Sequence, residues 1–314
     1  MILEICNIVL PIFIIMGVGY YLHAVQMIND EYINQSNRLI FNVALPLLLI
    51  YEVGKADFYA SFNIHLIAGS ILAITIVFIF SYLFARWNQY PPEEQGVFTQ
   101  GSFRGNLAIV GLSVVMSAYG REGLARAGML MGFIVPVLNF YSILALLHPH
   151  RQSQKQKFLF WIQQICLNPL IVASCIGILW SLFQIPFPAV VDASLDLISR
   201  LTLPLALIVI GAGFSFGSIQ ADWLYLSMAT FFKLILLPII TAAILAALDV
   251  SPDEIAIGVL MVGSPTAAVS FIMASQMKGD VDLARSIIVV TTLGSILTYS
   301  SMLYFLQLIL PIRL

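Results

Sequence analysis

The side chains able to do chemistry in this chain are few, and they gather in two stretches. SFRGNLAIVG, residues 102–111, sets Arg104 and Asn106 beside Gly105 and Gly111 between apolar runs, with Ser113 just beyond. GSPTAAVS, residues 263–270, carries Ser264, Pro265, Thr266 and Ser270 in similar surroundings. Lys233 stands inside FFKLILLPII, and Asn42 and Asn139 lie within two further apolar runs. Guanidinium, ammonium, amide and hydroxyl groups offer charge and hydrogen bonds, which suits holding an anion better than attacking a substrate. The sequence has no nucleophile motif and no phosphate loop. His23, His65, His148 and His150 are scattered, with no ligand spacing such as HExxH. The acids, among them Glu4, Glu52, Asp57, Glu93, Glu94, Glu122 and Asp249, fall at the ends of apolar runs or between them. A mid-depth carboxylate pair that alternately takes protons or sodium is not evident. Cys6, Cys166 and Cys175 form neither a CxxC site nor a disulfide framework. These residues predict a protein that is not an enzyme, with no resident cofactor or metal.

The elements that must position these groups are membrane helices. Of 314 residues, 60% are apolar and 10% charged, where soluble domains run at about 45–50% and about 25%. The net charge of −2 lacks the basic stripe that a nucleic-acid partner would want. The first residues, MILEICNIVLPIFIIMGVGYYL, are apolar from the outset and carry Glu4 in place of a basic segment, so they predict a first span and not a cleaved signal. About 20 mostly apolar residues cross the hydrocarbon as a helix. On that basis ten spans are expected, near 2–23, 34–53, 63–85, 94–118, 127–147, 158–183, 194–216, 223–248, 253–277 and 283–310.

The halves 1–150 and 158–314 repeat. At an offset of 158 residues Pro11 and Gly19 meet Pro169 and Gly177, and LIFNVALPLLL (39–49) meets LISRLTLPLAL (197–207). At 159, GREGLAR (120–126) meets GDVDLAR (279–285), and AIVG (108–111) meets AAVS (267–270). Five spans per half is an odd number, so the second half enters the bilayer inverted, as in many secondary transporters. The basic loop HPHRQSQKQK, residues 148–157, is placed in the cytoplasm by the positive-inside rule, with both termini outside an inner or plasma membrane.

Spans four and nine open alike, PPEEQGVF and SPDEIAIG, with proline in the first turn and two acids against the positive dipole end. Each then meets one of the two polar stretches, where Gly105, Gly111, Gly263 and Pro265 weaken the helix. Unwound backbone cannot face lipid, so it must line a cavity or be covered by protein. Half-helix starts there would offer N–H groups to an anion, and finishing ends would suit a cation. Arg104 has two readings, contact with a carried anion or neutralisation of half-helix carbonyls. Lys233 has a functional reading and a snorkelling or structural one. Asn42 and Asn139 either join the site or bond a neighbouring helix.

With these residues laid out, the chain resembles the auxin efflux carrier family, which includes the plant PIN-FORMED proteins and bacterial permeases for dicarboxylates such as malonate and malate. The likeness covers essentially the whole length and rests on FRGNLAIVGLS (103–113), NPLIVASCIGILW (168–180), LPLALIVIGAGFS (203–215), KLILLPII (233–240) and SPTAAVSFIMASQ (264–276). It implies an all-α integral membrane protein of ten helices in two inverted five-helix repeats, like the sodium–proton antiporters and bile-acid symporters. Helices one, two, six and seven would form a scaffold, the others a core that moves like an elevator, with helices four and nine crossing where they unwind. It also implies Asn106 and Gly111 at one crossing, Pro265, Thr266 and Ser270 at the other, and a homodimer through the scaffold. Ser113 and Ser270 stand where plant members carry crossing prolines, and the 148–157 loop is short, so a bacterial permease is the closer likeness. The expected function is transport of a small organic anion, a mono- or dicarboxylate, coupled to protons, sodium or neither. A sensor or channel on a degenerate transporter fold, and a membrane-embedded lipid enzyme, are the competing classes.

Overall fold

The computed structural model describes residues 2–147, 169–213 and 223–309. The basic loop 148–157, the expected start of span six at 158–168 with Cys166, and residues 214–222 lie outside the described residues. Everything described is helix, turn or short connection, apart from one isolated backbone bridge.

The helices are α1 (Ile2–Ala24), α2 (Asp30–Lys55), α3 (Ile64–Trp87), α4 (Pro92–Phe103), and α5, a π-helical turn Leu107–Gly111 running into Leu112–Leu147. They continue as α6 (Pro169–Leu182), α7 (Ala189–Ala212), α8 (Trp223–Ala247), α9 (Pro252–Val262), α10 (Val269–Gln276) and α11 (Val281–Ile309). Among the described residues seven helical stretches are long and apolar enough to cross a membrane, and α6 is a shorter apolar helix. The sequence led us to expect ten spans. The difference lies chiefly at spans four and nine, which stop at Phe103 and Val262 and leave α4 and α9 with 12 and 11 residues. Spans four and five, expected to part between 118 and 127, part at Gly120, where two helices meet across a kink within α5; its φ of 61° and ψ of −155° are open to glycine and strained for other residues.

Local chemistry accounts for the irregular turns. Ile40–Ala44 and Phe232–Leu236 are π-helical, and each is followed by Leu-Pro. Pro46 and Pro238 have no N–H to return to the preceding turn, and a wider turn absorbs the missing bond.

Large apolar side chains such as Ile14, Trp87, Val190 and Leu297 stay exposed, the surface lipid requires. Inside, helices approach through small residues. Gly19 of α1 lies on the Ile208 carbonyl of α7, and Gly211 of α7 lies on the Met16 carbonyl of α1. In the same manner a Cβ on Gly177 of α6 would stand 3.0 Å from the Leu49 carbonyl of α2. α1 therefore pairs closely with α7, and α2 with α6. The remaining helices pack around the point where α4 and α9 end.

Candidate functional site

α4 begins at Pro92 with Glu93 and Glu94 in its first turn, and α9 begins at Pro252 with Asp253 and Glu254. Proline pre-sets the first turn and the acids complement the positive helix end. Both helices run inward and stop short. Their unwound continuations meet as a small antiparallel pair, with Gly105 bridged to Thr266. The Asn106 N–H donates to the Pro265 carbonyl at 2.7 Å, and the Ala267 N–H donates to the Arg104 carbonyl at 3.1 Å. Each interruption thereby supplies the partners that lipid would deny the other.

The helix ends are closed from neighbouring elements. Thr266 Oγ1 donates to the Gly101 carbonyl of α4 at 2.8 Å, while its own N–H donates to Thr291 Oγ1 of α11 at 3.0 Å. Lys233 Nζ, fully buried in the π-turn of α8, donates to the Val262 carbonyl at the end of α9. Tyr299 Oη of α11 donates to the Leu260 carbonyl at 3.2 Å. A cation at a helix finishing end is favourable because the carbonyls there carry partial negative charge. Lys233 also presses on the crossing: a Cβ on Gly105 would lie 3.1 Å from its Nζ.

Arg104 follows the last residue of α4 but does not turn back on its own helix. Its guanidinium reaches α5, donating to Asn139 Oδ1 at 2.7 Å, Ser142 Oγ at 2.8 Å and the Leu138 carbonyl at 3.2 Å. Only Nε is left without a partner. Asn139 thus serves the arginine. Asn42 is not brought to the crossing: it is exposed and donates to the Arg38 carbonyl of its own helix at 2.9 Å. Its amide satisfies the helix bearing it, so its place among the site candidates is withdrawn. Ser113, expected at the crossing, stands beyond it on α5, while Gly111 packs on Met261 of α9, 3.2 Å from sulfur to an added Cβ.

Groups remain free to meet a ligand. Asn106 precedes the first turn of α5, is part-buried, and its side chain makes no capping bond. The hydroxyls of Ser113, Ser264 and Ser270 are buried without a partner. Ser113 opens onto a cavity of about 260 Å³ between α5 and the helices α1, α2 and α7.

That cavity holds residues the sequence did not single out as a site. Glu52 of α2 is only 6% exposed, and Arg121 of α5 shares the cavity wall with it. Arg121 bonds Asp196 of α7 at 2.5 Å and lies 3.9 Å from Glu52, which accepts a hydrogen bond from Ser199 Oγ at 2.8 Å. Arg200, also in the wall, pairs with the far oxygen of Asp196 at 2.8 Å. Glu52 reads in sequence as a span-end acid, and its burial follows from the close packing of α2, α5 and α7. The GREGLAR repeat at 120–126 contained Arg121 and was the one available pointer.

Comparison with known proteins adds family evidence. A family model described as membrane transport protein matches residues 5–303. The chain is 23% identical to an uncharacterized transporter of Methanothermobacter thermautotrophicus, over 92% of this chain and 94% of that one. It is 23% identical to the uncharacterized transporter YfdV of Escherichia coli, over 96% and 97%. A protein of Rhizobium meliloti named as a candidate malonate transporter is 22% identical, over 97% and 96%.

Proposed function

The chain belongs to the membrane transport protein family, that of the auxin efflux carriers, and we propose that it is a secondary transporter carrying a small organic anion. It is a multi-pass membrane transporter and not an enzyme. The observation that carries the substrate class is the crossing. Two helices restart there, at Leu107 and Val269, beside buried hydroxyls and the uncommitted amide of Asn106. Restarting helices present N–H groups and partial positive charge, which favour a carboxylate. The name of the Rhizobium relative makes malonate the first anion to test. Arg104, Lys233 and Thr266 are engaged with α5, with the end of α9 and with α4 and α11, so they hold the crossing in shape and leave Asn106 and Ser270 for the anion.

Movement is assigned to a core of α3–α5 and α8–α11 against a scaffold of α1, α2, α6 and α7, the two inverted repeats each giving part of both. Support comes from packing: Gly19 rests on the Ile208 carbonyl, and 158 residues later Gly177 rests on that of Leu49. We place the basic loop 148–157 in the cytoplasm and both termini outside.

The test is counterflow in proteoliposomes, with labelled malonate outside and unlabelled malonate inside, run with and without sodium and with a proton gradient. The expected result is saturable uptake that Asn106→Ala abolishes at an unchanged yield of folded protein. Normal uptake by Asn106→Ala overturns the site, and non-saturating flux overturns the carrier.

A further inference from the structure

The carried anion needs a positive partner, yet Arg104 and Lys233 are both buried and turned to other tasks. Two cations stand in the wall of the 260 Å³ cavity and are open to solvent, Arg121 at 41% and Arg200 at 69% exposure, and of these Arg121 is the one carried by α5. It stands just past the break at Gly120, and Ser113, Met116 and Ser117 before the break line the same cavity. Glu52, Ser199 and Arg200 line it as well, and apolar side chains of α1 and α7 make up most of the rest. A guanidinium at one end and apolar sides fit a short carboxylate with a small carbon skeleton.

We propose that Arg121 is the anion's charge partner in this cavity, leaving Asp196 and Glu52 when a small carboxylate takes their place. The inference rests on the transporter reading for its consequence, though not for its geometry. Arg121 belongs to α5, whereas Glu52 and Asp196 belong to α2 and α7 on the opposite wall. In the empty protein the ion pairs tie the two walls together. Sliding them apart unloaded would strand a guanidinium from its carboxylates, and a breach of that kind is costly where one partner is buried. A bound carboxylate supplies the missing oxygens, while Glu52 keeps the Ser199 hydroxyl and Asp196 keeps Arg200, so the walls are free to part. Exchange of anion for anion should therefore outrun net efflux.

Two measurements test this. In the first, purified wild-type protein and Arg121→Gln are melted with acetate, malonate or succinate. Stabilisation of the wild type by at least one anion, with the required concentration rising about tenfold or more in Arg121→Gln, is the expected result, the loss suited to one charge-assisted pair. Arg121→Lys, which keeps the charge without the fork, should fall between them and stands in if Arg121→Gln does not fold. Equal stabilisation of wild type and variant, or none by any of the three anions, overturns the site. In the second, vesicles loaded with malonate are diluted into malonate or into anion-free buffer. The wild type should exchange faster than it empties, and Asp196→Asn should bring the two rates together. An unchanged ratio in Asp196→Asn overturns the latch. A melting shift lost in Arg121→Gln, with no flux in the wild type, would keep the binding site and remove the transporter reading.

Discussion

Gly105 and Thr266 face each other across an antiparallel backbone bridge, one from each interrupted span. Gly105 has no room for a side chain. A Cβ there would collide with Ser264 Oγ and lie 3.1 Å from Lys233 Nζ. Gly105→Ala is therefore expected to lower stability by about 1–3 kcal/mol, the usual cost of overpacking a tight interior. It should also abolish counterflow. Adding Ser264→Gly removes the nearer obstacle and should recover part of the melting temperature, a coupling read from the four-member cycle.

Arg104 and Asn139 form a buried charge with its cradle. Asn139→Leu deprives the guanidinium of its shortest bond and should cost about 1.5–3 kcal/mol by denaturant titration. Arg104→Met in the same chain should return part of that loss, because a missing charge needs no cradle. Had Arg104 bound the anion directly, Arg104→Met would raise the half-saturating concentration of the folded fraction; we expect that concentration to hold.

Lys233 is assigned to the end of α9. Lys233→Met leaves the Val262 carbonyl without its side-chain donor and should cost about 1–3 kcal/mol. In folded wild type the same burial should protect the amine from acylating reagents that label the exposed Lys55. Rapid acylation of Lys233 in intact protein, read by peptide mass spectrometry, would contradict the assignment.

Gly120 poses a different question, since an added Cβ there meets nothing within 4 Å. Any loss in Gly120→Ala comes from backbone conformation alone, with φ at 61°. We expect about 1–3 kcal/mol, read as a lowered melting temperature. Gly120→Asn should lose about as much, because a ψ of −155° lies outside the left-handed region that asparagine tolerates.

The helix starts and stops were plain in the sequence because they depend on neighbours along the chain. Pro92 with Glu93 and Glu94, and Pro252 with Asp253 and Glu254, do open helices. Helix also ends next to Gly105 and at Gly263. What sequence could not carry was direction in space. Arg104, Lys233 and Asn42 looked equally stranded in apolar runs, yet the first reaches α5, the second the end of α9, and the third its own helix. Glu52 and Arg121 meet only because α2, α5 and α7 pack together, and neither residue's neighbours announce it.

The mutual closing of the two interruptions bears on how the protein is made. A ribosome delivers Arg104 and Asn106 long before Pro265 and Ala267, so the earlier segment enters the bilayer with an open carbonyl and an open N–H. Until the later half arrives, water, the insertion machinery or a chaperone must answer those groups. A chain truncated before residue 265 should accordingly remain bound to its insertase or be degraded.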